Sequence, residues 1–316
     1  MTLFEHSYSL FKQAIKTSTV LFKITIPIII LTRILDQLGV IEQIGHLLAP
    51  VMKVVGLPGS MGLVWATAIF TNLYGAMIVF ASLAPAEGLT VAQVTVLSTM
   101  ILVAHALPVE LRIAQKAGTR MRSMIVLRLS GALILGIILN TIFRLSGTLQ
   151  EINTVFWNPP QQNMSWFEWT LDQIKNLGYI FLVILALLLL MKILDALNVT
   201  DLLIRLLKPL LNLMGIGKDA APITIIGMTM GIGYGGGLLI QEAQSGRLEK
   251  RDLFFSFCLM GLCHSLIEDT LLMMLIGGHA AGVLWGRMLF ALAVTFILVR
   301  VFSGASQPFF DKYLTR

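Results

Sequence analysis

The chain has 316 residues, of which 56% are hydrophobic and 13% are charged, and its formal net charge is +6. Soluble globular domains carry about 25% charged residues, so this composition excludes an ordinary soluble domain and indicates a polytopic membrane protein. The basic residues lie in short loops between apolar runs, where the positive-inside rule expects them, and therefore do not indicate nucleic-acid binding.

The apolar segments predict an all-α transmembrane helical bundle in which one order of helices occurs twice. Each copy has a long apolar helix, a short amphipathic piece containing proline, and three further apolar segments. The predicted elements run at about 17–37, 40–55, 59–83, 91–114 and 121–145, and then at about 176–197, 199–214, 220–243, 252–276 and 280–303. The sequence thus predicts a first repeat at 1–145, a linker at 146–175 and a second repeat at 176–316.

A self-alignment at an offset of 159 residues supports this division. Residues 34–56 align without a gap on residues 193–215, with nine identities in 23 positions that include Pro50 with Pro209. Apolar composition explains matches of leucine and isoleucine, but it does not explain matched prolines and glycines in one register. The same offset also pairs His105 with His264, Glu110 with Asp269, Gly118 with Gly277 and Arg128 with Arg287.

Loop charges predict that the two copies cross the membrane in opposite directions. The loop at 84–90 has no Lys or Arg, whereas its counterpart at 245–252 carries three basic residues. The next pair is reversed, because 116–122 is basic and 275–281 has no Lys or Arg. Equivalent loops on opposite sides indicate an inverted-topology repeat and require an odd number of crossings per copy. Three and five crossings per copy both remain open.

The segment after the amphipathic piece is interrupted at equivalent places, 71–75 and 231–237. Unwound backbone occurs at membrane depth only where it is buried in protein or lines a watery cavity, and paired breaks point to a transporter's binding site. The alternative is that small residues merely allow close helix packing. The candidate substrate-binding residues in these segments are Asn72, Tyr74, Gly75, Gly233, Tyr234, Gly235 and Glu242.

The next segment of each copy has a histidine followed five residues later by an acid. Ionisable groups inside a membrane segment normally face the bundle interior and take part in function, and a histidine beside a carboxylate can exchange a proton near neutral pH. We expect His264 and Glu268 to share one helical face, and Pro108 to unwind the first copy locally. A structural polar cluster is the alternative. The candidates are His105, Glu110, His264, Ser265, Glu268 and Asp269.

Two arginines, Arg128 and Arg287, lie about a third of the way into the last segment of each copy. They could be counter-ions to these carboxylates or to an anionic substrate, and snorkelling to the interface is the alternative. Cys258 and Cys263 share one apolar segment, so we expect no disulfide. No local His/Cys cluster supports a metal site, and we expect no cofactor.

A further set of residues resembles a known family. The run begins at Leu31-x-Arg33-Ile34 and Val40-Ile41, and continues through Leu47-Leu48-x-Pro50 and Gly56-Leu57-Pro58 to a broken helix. It is similar to the nucleoside recognition, or gate, domain of spore-maturation membrane proteins and ferrous-iron permeases, and more distantly to concentrative nucleoside transporters. The resemblance implies a permease core with broken helices and inverted repeats. It identifies no substrate.

The sequence therefore predicts a transporter or exporter of a small polar or anionic solute, ion- or proton-coupled, with its site between the repeats. A phosphate-bearing or lipid-linked substrate, and a non-transporting scaffold, are the alternatives. We expect no enzyme, since no hydrolase or protease motif occurs. The expected partners are the lipid bilayer of a bacterial inner membrane and a small-molecule or ion substrate, with no nucleic acid; a homo-oligomer remains open.

Overall fold

The computed structural model describes residues 3–154, 165–232, 237–238, 240–242 and 248–315. Every element longer than an isolated bridge in these residues is helical, so the predicted all-α class is confirmed. The first half forms α1 (Leu3–Gln37), α2 (Val40–Val54), α3 (Met61–Phe70), α4 (Leu73–Glu87), α5 (Val91–Val103), α6 (Leu107–Lys116) and α7 (Met121–Ser146).

The second half follows the same order. It forms α8 (Trp166–Ala196), α9 (Val199–Met214), α10 (Ala220–Met230), α11 (Lys250–Leu262), α12 (Glu268–Leu275), a π-helical turn (Ala281–Gly286), α13 (Arg287–Ser303) and α14 (Gln307–Tyr313). In the described part of the chain, four stretches are long and apolar enough to cross a membrane: Val91–Lys116, Met121–Ser146, Trp166–Leu194 and Ala281–Ser303. A polytopic membrane protein is therefore confirmed.

The centre of the bundle is formed by α5 and α11, which are buried along nearly their whole length. Helix α7 packs against both of them. Its Gly131 allows this approach, because a Cβ atom there would lie 2.8 Å from the Leu262 side chain and 3.7 Å from that of Val103. The ends of the two central helices are thus held beside the middle of α7.

Backbone conformations recur at the offset of 159 residues. Left-handed backbone is found in both halves at four pairs of equivalent positions, with φ between +46° and +104°. The pairs are Gly39 with Asn198, Gly56 with Gly215, Ala106 with Ser265, and Gly118 with Gly277. The sequence match is therefore accompanied by matching turns at the ends of the helices.

The loops that precede α5 and follow α12 meet at one end of the bundle. Asn153, in the segment after α7, joins the two loops. Its backbone N–H donates to the Leu89 carbonyl at 2.8 Å, and its side-chain amide donates to the Ile276 carbonyl at 3.0 Å. The His279 backbone N–H, in the same loop as Ile276, donates to the Thr95 hydroxyl at 2.9 Å.

The loops that follow α6 and precede α11 meet at the other end, against α14. Arg120 donates its backbone N–H to the Leu314 carbonyl at 2.9 Å and its guanidinium to the Asp311 carbonyl at 2.6 Å. Lys250 contacts the Asp311 carboxylate at 3.0 Å. Equivalent loops of the two halves thus lie at opposite ends of the bundle.

One local prediction is wrong. Residues 252–276 were expected to form one helix that places His264 and Glu268 on a single face, but α11 ends at Leu262 and α12 begins at Glu268. The left-handed Ser265 redirects the chain, and the Leu266 N–H donates to the Met228 carbonyl of α10 at 2.9 Å instead of to its own helix. The break therefore occurs in both halves and does not require a proline.

Candidate functional site

Each histidine lies in the break between two helices, and the two breaks are built alike. In the first half, α5 ends at Val103, and the N–H of the left-handed Ala106 donates to the Ala68 carbonyl of α3 at 2.8 Å. In the second half, the N–H of Leu266 donates to the Met228 carbonyl of α10. Each break is thus hydrogen-bonded to the helix that ends at the preceding break of the same half.

The imidazoles of His105 and His264 meet at the centre of the bundle. Their Nε2 atoms are 3.2 Å apart and both residues are buried, with 5% and 1% of their surface exposed. The Nδ1 atoms lie 3.0 Å from the Ile101 carbonyl and 2.8 Å from the Met260 carbonyl. Because a carbonyl oxygen only accepts, each Nδ1 carries the proton, and the Nε2 lone pairs of neutral rings face each other. The contact becomes favourable when a cation lies between the two nitrogens, or when one ring also carries a proton on Nε2 and donates it to the other ring or to a neighbouring carboxylate.

Two carboxylates complete the cluster. Glu110 Oε1 lies 3.4 Å from His105 Nε2 and 3.2 Å from His264 Nε2. Asp269 Oδ2 lies 3.8 Å from His105 Nε2. The side chains of both acids are almost fully buried, and buried carboxylates require partners of opposite charge or hydrogen-bond donors. The fold therefore brings four candidate residues from both halves to one point.

Arg128 holds the first break together. Its Nε donates to the Val103 carbonyl at 2.8 Å, one Nη donates to the His105 carbonyl at 3.1 Å, and the other contacts the second oxygen of Glu110. All three nitrogens of this buried guanidinium thus have partners. Arg128 neutralises Glu110 and caps the carbonyls that the break releases from helix hydrogen bonding, which is a stabilising role.

Arg287 is the equivalent residue in the second half, but its surroundings differ. It is fully buried, and one Nη donates to the Thr270 hydroxyl at 3.1 Å. Nε and the other Nη have no oxygen or nitrogen partner in the described residues, and the guanidinium lies beside the Cys263 thiol and the Asp269 carboxyl. The π-helical turn directly precedes it, and the Arg287 N–H accordingly reaches back to the Gly282 carbonyl. Such turns are frequent at functional sites.

The structure places the candidate residues of the first pair of breaks, at 71–75 and 231–237, in different surroundings. Asn72 caps α4, since its side chain accepts from the Gly75 N–H at 2.9 Å, and Tyr74 lies within electrostatic range of Glu268 and Asp269. Gly75 is closely packed, because a Cβ atom there would lie 2.9 Å from the Thr71 hydroxyl. Gly233, Tyr234 and Gly235 lie outside the described residues, and Glu242, which is described, is half-buried.

Sequence reasoning missed two features. Thr270, the partner of Arg287, carries no signal in the sequence that distinguishes it from other threonines in apolar segments. A cavity of about 580 Å³ also lies beside α1, α2, α4 and α8, away from the histidines. Its polar lining includes Arg33, Ser60 and Glu87, the last two joined by a hydrogen bond of 2.5 Å.

Comparison with known proteins supports the predicted family resemblance. Residues 177–280 match the family model described as nucleoside recognition, or Gate. The uncharacterized membrane protein YvoD of Bacillus subtilis is 25% identical over 266 residues, which cover 83% of this chain and 84% of that protein. No solved structure matches the chain. The predicted resemblance to gate-domain membrane proteins is confirmed by the family match, which lies in the second half.

Proposed function

Since residues 177–280 match the nucleoside recognition family, we propose that the chain is a transporter of a small polar or anionic solute in a bacterial inner membrane, coupled to a proton or another ion. The observation that carries this proposal is the meeting of His105 and His264 at 3.2 Å, each in a helix break of a different half. A rearrangement of either half relative to the other changes this contact directly.

The buried charges support a transport site over a purely structural core. Helix-breaking turns and ionisable residues are both unfavourable inside a membrane protein and normally line a substrate or ion pathway. Here they coincide, with His105, His264, Glu110 and Asp269 within contact range at the junction of the two halves. Inverted repeats would supply two related arrangements of this junction, one open to each side of the membrane.

The arginines support an anionic group on the solute. Each of the three nitrogens of Arg128 has an oxygen partner, whereas two nitrogens of Arg287 have no oxygen or nitrogen partner in the described residues and face only the weakly accepting sulfur of Cys263. An unmet buried donor of a charged group is costly, and a carboxylate or phosphate oxygen is its strongest partner. We therefore assign the contact with an anionic solute to Arg287 and a stabilising role to Arg128.

A second candidate is transport of a phosphate-bearing amphiphile or lipid-linked substrate. It is favoured by the cavity beside α1, α2, α4 and α8, which is large enough for a substantial part of such a molecule and combines apolar walls with Arg33. Arg33 also lies over the ring of Trp169, at 5.9 Å from the ring centroid. This substrate would contact the cavity before reaching the buried cluster.

The test begins with a thermal-shift screen of the purified chain against nucleosides, organic anions and phosphate compounds. A ligand at 100 times its Kd stabilises the folded state by about 2.7 kcal/mol. Uptake of the hits is then measured in proteoliposomes at several pH values for wild type, for His264→Ala combined with Glu110→Gln, and for His46→Ala. His46 is a matched control for the cluster because its side chain is 80% exposed. It also lines the cavity beside α1, α2, α4 and α8, so a change in this variant alone would favour the second candidate.

We expect the double variant to abolish uptake or to change its pH profile, and the His46 variant to behave as wild type. An unchanged rate and pH profile in a correctly inserted double variant would show that the cluster is structural. Failure of every solute to stabilise or enter would favour the scaffold alternative.

A further inference from the structure

The side chains around the two histidines have the composition and spacing of a metal-binding site. The ligand atoms of His105, His264 and Asp269 lie within 4.8 Å of one another, and Glu110 Oε1 lies within 3.4 Å of both Nε2 atoms. The four residues come from both halves of the chain, 159 positions apart for the histidines. For this reason no ligand spacing along the sequence indicated a site.

The distance between the ring nitrogens fits a first-row transition metal. Zinc binds histidine nitrogen at about 2.0–2.1 Å, so two imidazoles on one tetrahedral ion have nitrogens about 3.3 Å apart. The observed separation is 3.2 Å, and Glu110 Oε1 completes a nearly equilateral face at 3.2 and 3.4 Å. We infer that His105, His264 and Glu110 bind one divalent transition-metal ion, with Asp269 moving in from 3.8 Å from His105 Nε2 to become the fourth ligand.

The groups behind the ligands are those that such a site requires. Each histidine donates its Nδ1–H to a backbone carbonyl, which fixes the ring and leaves Nε2 free to bind metal. Arg128 contacts the second oxygen of Glu110 and leaves Oε1 directed at the histidines. The Asp269 carboxylate and, in part, the Glu110 carboxylate, which is also paired with Arg128, offset the two positive charges of the ion in a buried environment.

The ligand types also limit which metal is held. Two imidazoles with two carboxylates suit zinc, manganese, iron, cobalt or nickel, whereas calcium and magnesium prefer oxygen ligands alone. A proton shared between the two Nε2 atoms is the competing occupant, since it would also relieve their repulsion. The statement that the metal is the coupling ion of transport rests on the proposed function, whereas metal binding itself does not.

Binding can be measured on the full chain without any transport assay. The protein is purified without a polyhistidine tag, stripped with a chelator and titrated with cobalt, and the visible spectrum and metal content are recorded. We expect one cobalt ion per chain with the intense visible bands of a four-coordinate site. His105→Gln and His264→Gln should each weaken binding at least about 100-fold, beyond the range known for outer-shell residues, and His46→Gln should leave it unchanged.

Several outcomes would overturn the metal site. They are a stoichiometry well below one, cobalt retained by both histidine variants, or no cobalt spectrum in wild type, which would indicate a proton alone. If the variants do not fold, X-ray absorption of the zinc-loaded wild type must still show two imidazole nitrogens at about 2.0–2.1 Å. Metal binding without uptake of any solute would refute the transporter and keep the site. Uptake by a metal-free protein would keep the transporter and refute the role of the metal as its coupling ion.

Discussion

Arg128 and Arg287 occupy equivalent positions in the two halves, yet we expect their removal to have very different effects on stability. Arg128→Gln would leave the Glu110 carboxylate without its buried counter-ion and two carbonyls, of Val103 and His105, without their donor. Breaking a buried ion pair by removing one partner costs about 3–5 kcal/mol, so we expect a loss of that size.

Arg287→Gln should be close to neutral. It removes one hydrogen bond to the Thr270 hydroxyl, which contributes about 1.5–3 kcal/mol at most for a charged donor. It also removes two buried nitrogens without an oxygen or nitrogen partner in the described residues, and this relief offsets the loss of that hydrogen bond and of the attraction to the nearby Asp269 carboxyl. We expect the net change in the free energy of unfolding to lie within about 1 kcal/mol of zero.

Thermal unfolding of the detergent-solubilised variants measures the difference. Unfolding entropies of about 2.1 cal/mol/K per residue give roughly 1.5 °C per kcal/mol for a chain of this length, so Arg128→Gln should lower Tm by about 5–8 °C. Arg287→Gln should shift it by less than about 2 °C. Equal decreases for the two variants would refute the distinction between a stabilising and a ligand-binding arginine. Arg287→Gln should additionally abolish stabilisation by any anionic solute found in the screen.

Two further predictions concern the backbone and the topology. Gly56→Ala should destabilise the protein by about 1–3 kcal/mol more than Gly88→Ala. Both glycines have positive φ, but only at Gly56 would a Cβ atom meet a neighbour, the Asn140 side chain at 2.2 Å. Similar Tm decreases for the two variants would contradict this. Cysteines replacing Arg120 and His279, which are equivalent positions of the two halves, should be labelled by a membrane-impermeant reagent from opposite sides of the membrane. Labelling of both from one side would rule out the inverted orientation.

Much of the helical order could be predicted from the sequence because it depends on local pattern. The amphipathic α2 and α9 fall within a residue or two of the expected ranges, since their apolar periodicity and flanking residues define their ends. The break at 71–75 was also predictable, because Asn72 is a residue type that caps helices and Gly75 follows it three positions later. These features need no knowledge of the rest of the fold.

The break near His264 was not visible in the sequence, since no glycine or proline lies between Leu262 and Glu268. It depends on a hydrogen bond to Met228, a residue more than 30 positions away along the chain. Likewise, the offset of 159 residues pairs His105 with His264 but does not say that they touch. That contact requires both residues to lie where the two halves meet.

Ala106 and Ser265 have left-handed backbone, with φ +47° and +46°, although neither is a glycine. For residues with a Cβ atom this conformation costs about 1–2 kcal/mol each, and it persists because surrounding contacts enforce it. The conformation in which both turns are formed is therefore higher in energy, and straightening one turn would recover the cost of that turn. This lowers the free-energy difference to conformers in which α5 continues into α6 or α11 into α12, so the two histidines can separate at a smaller net cost.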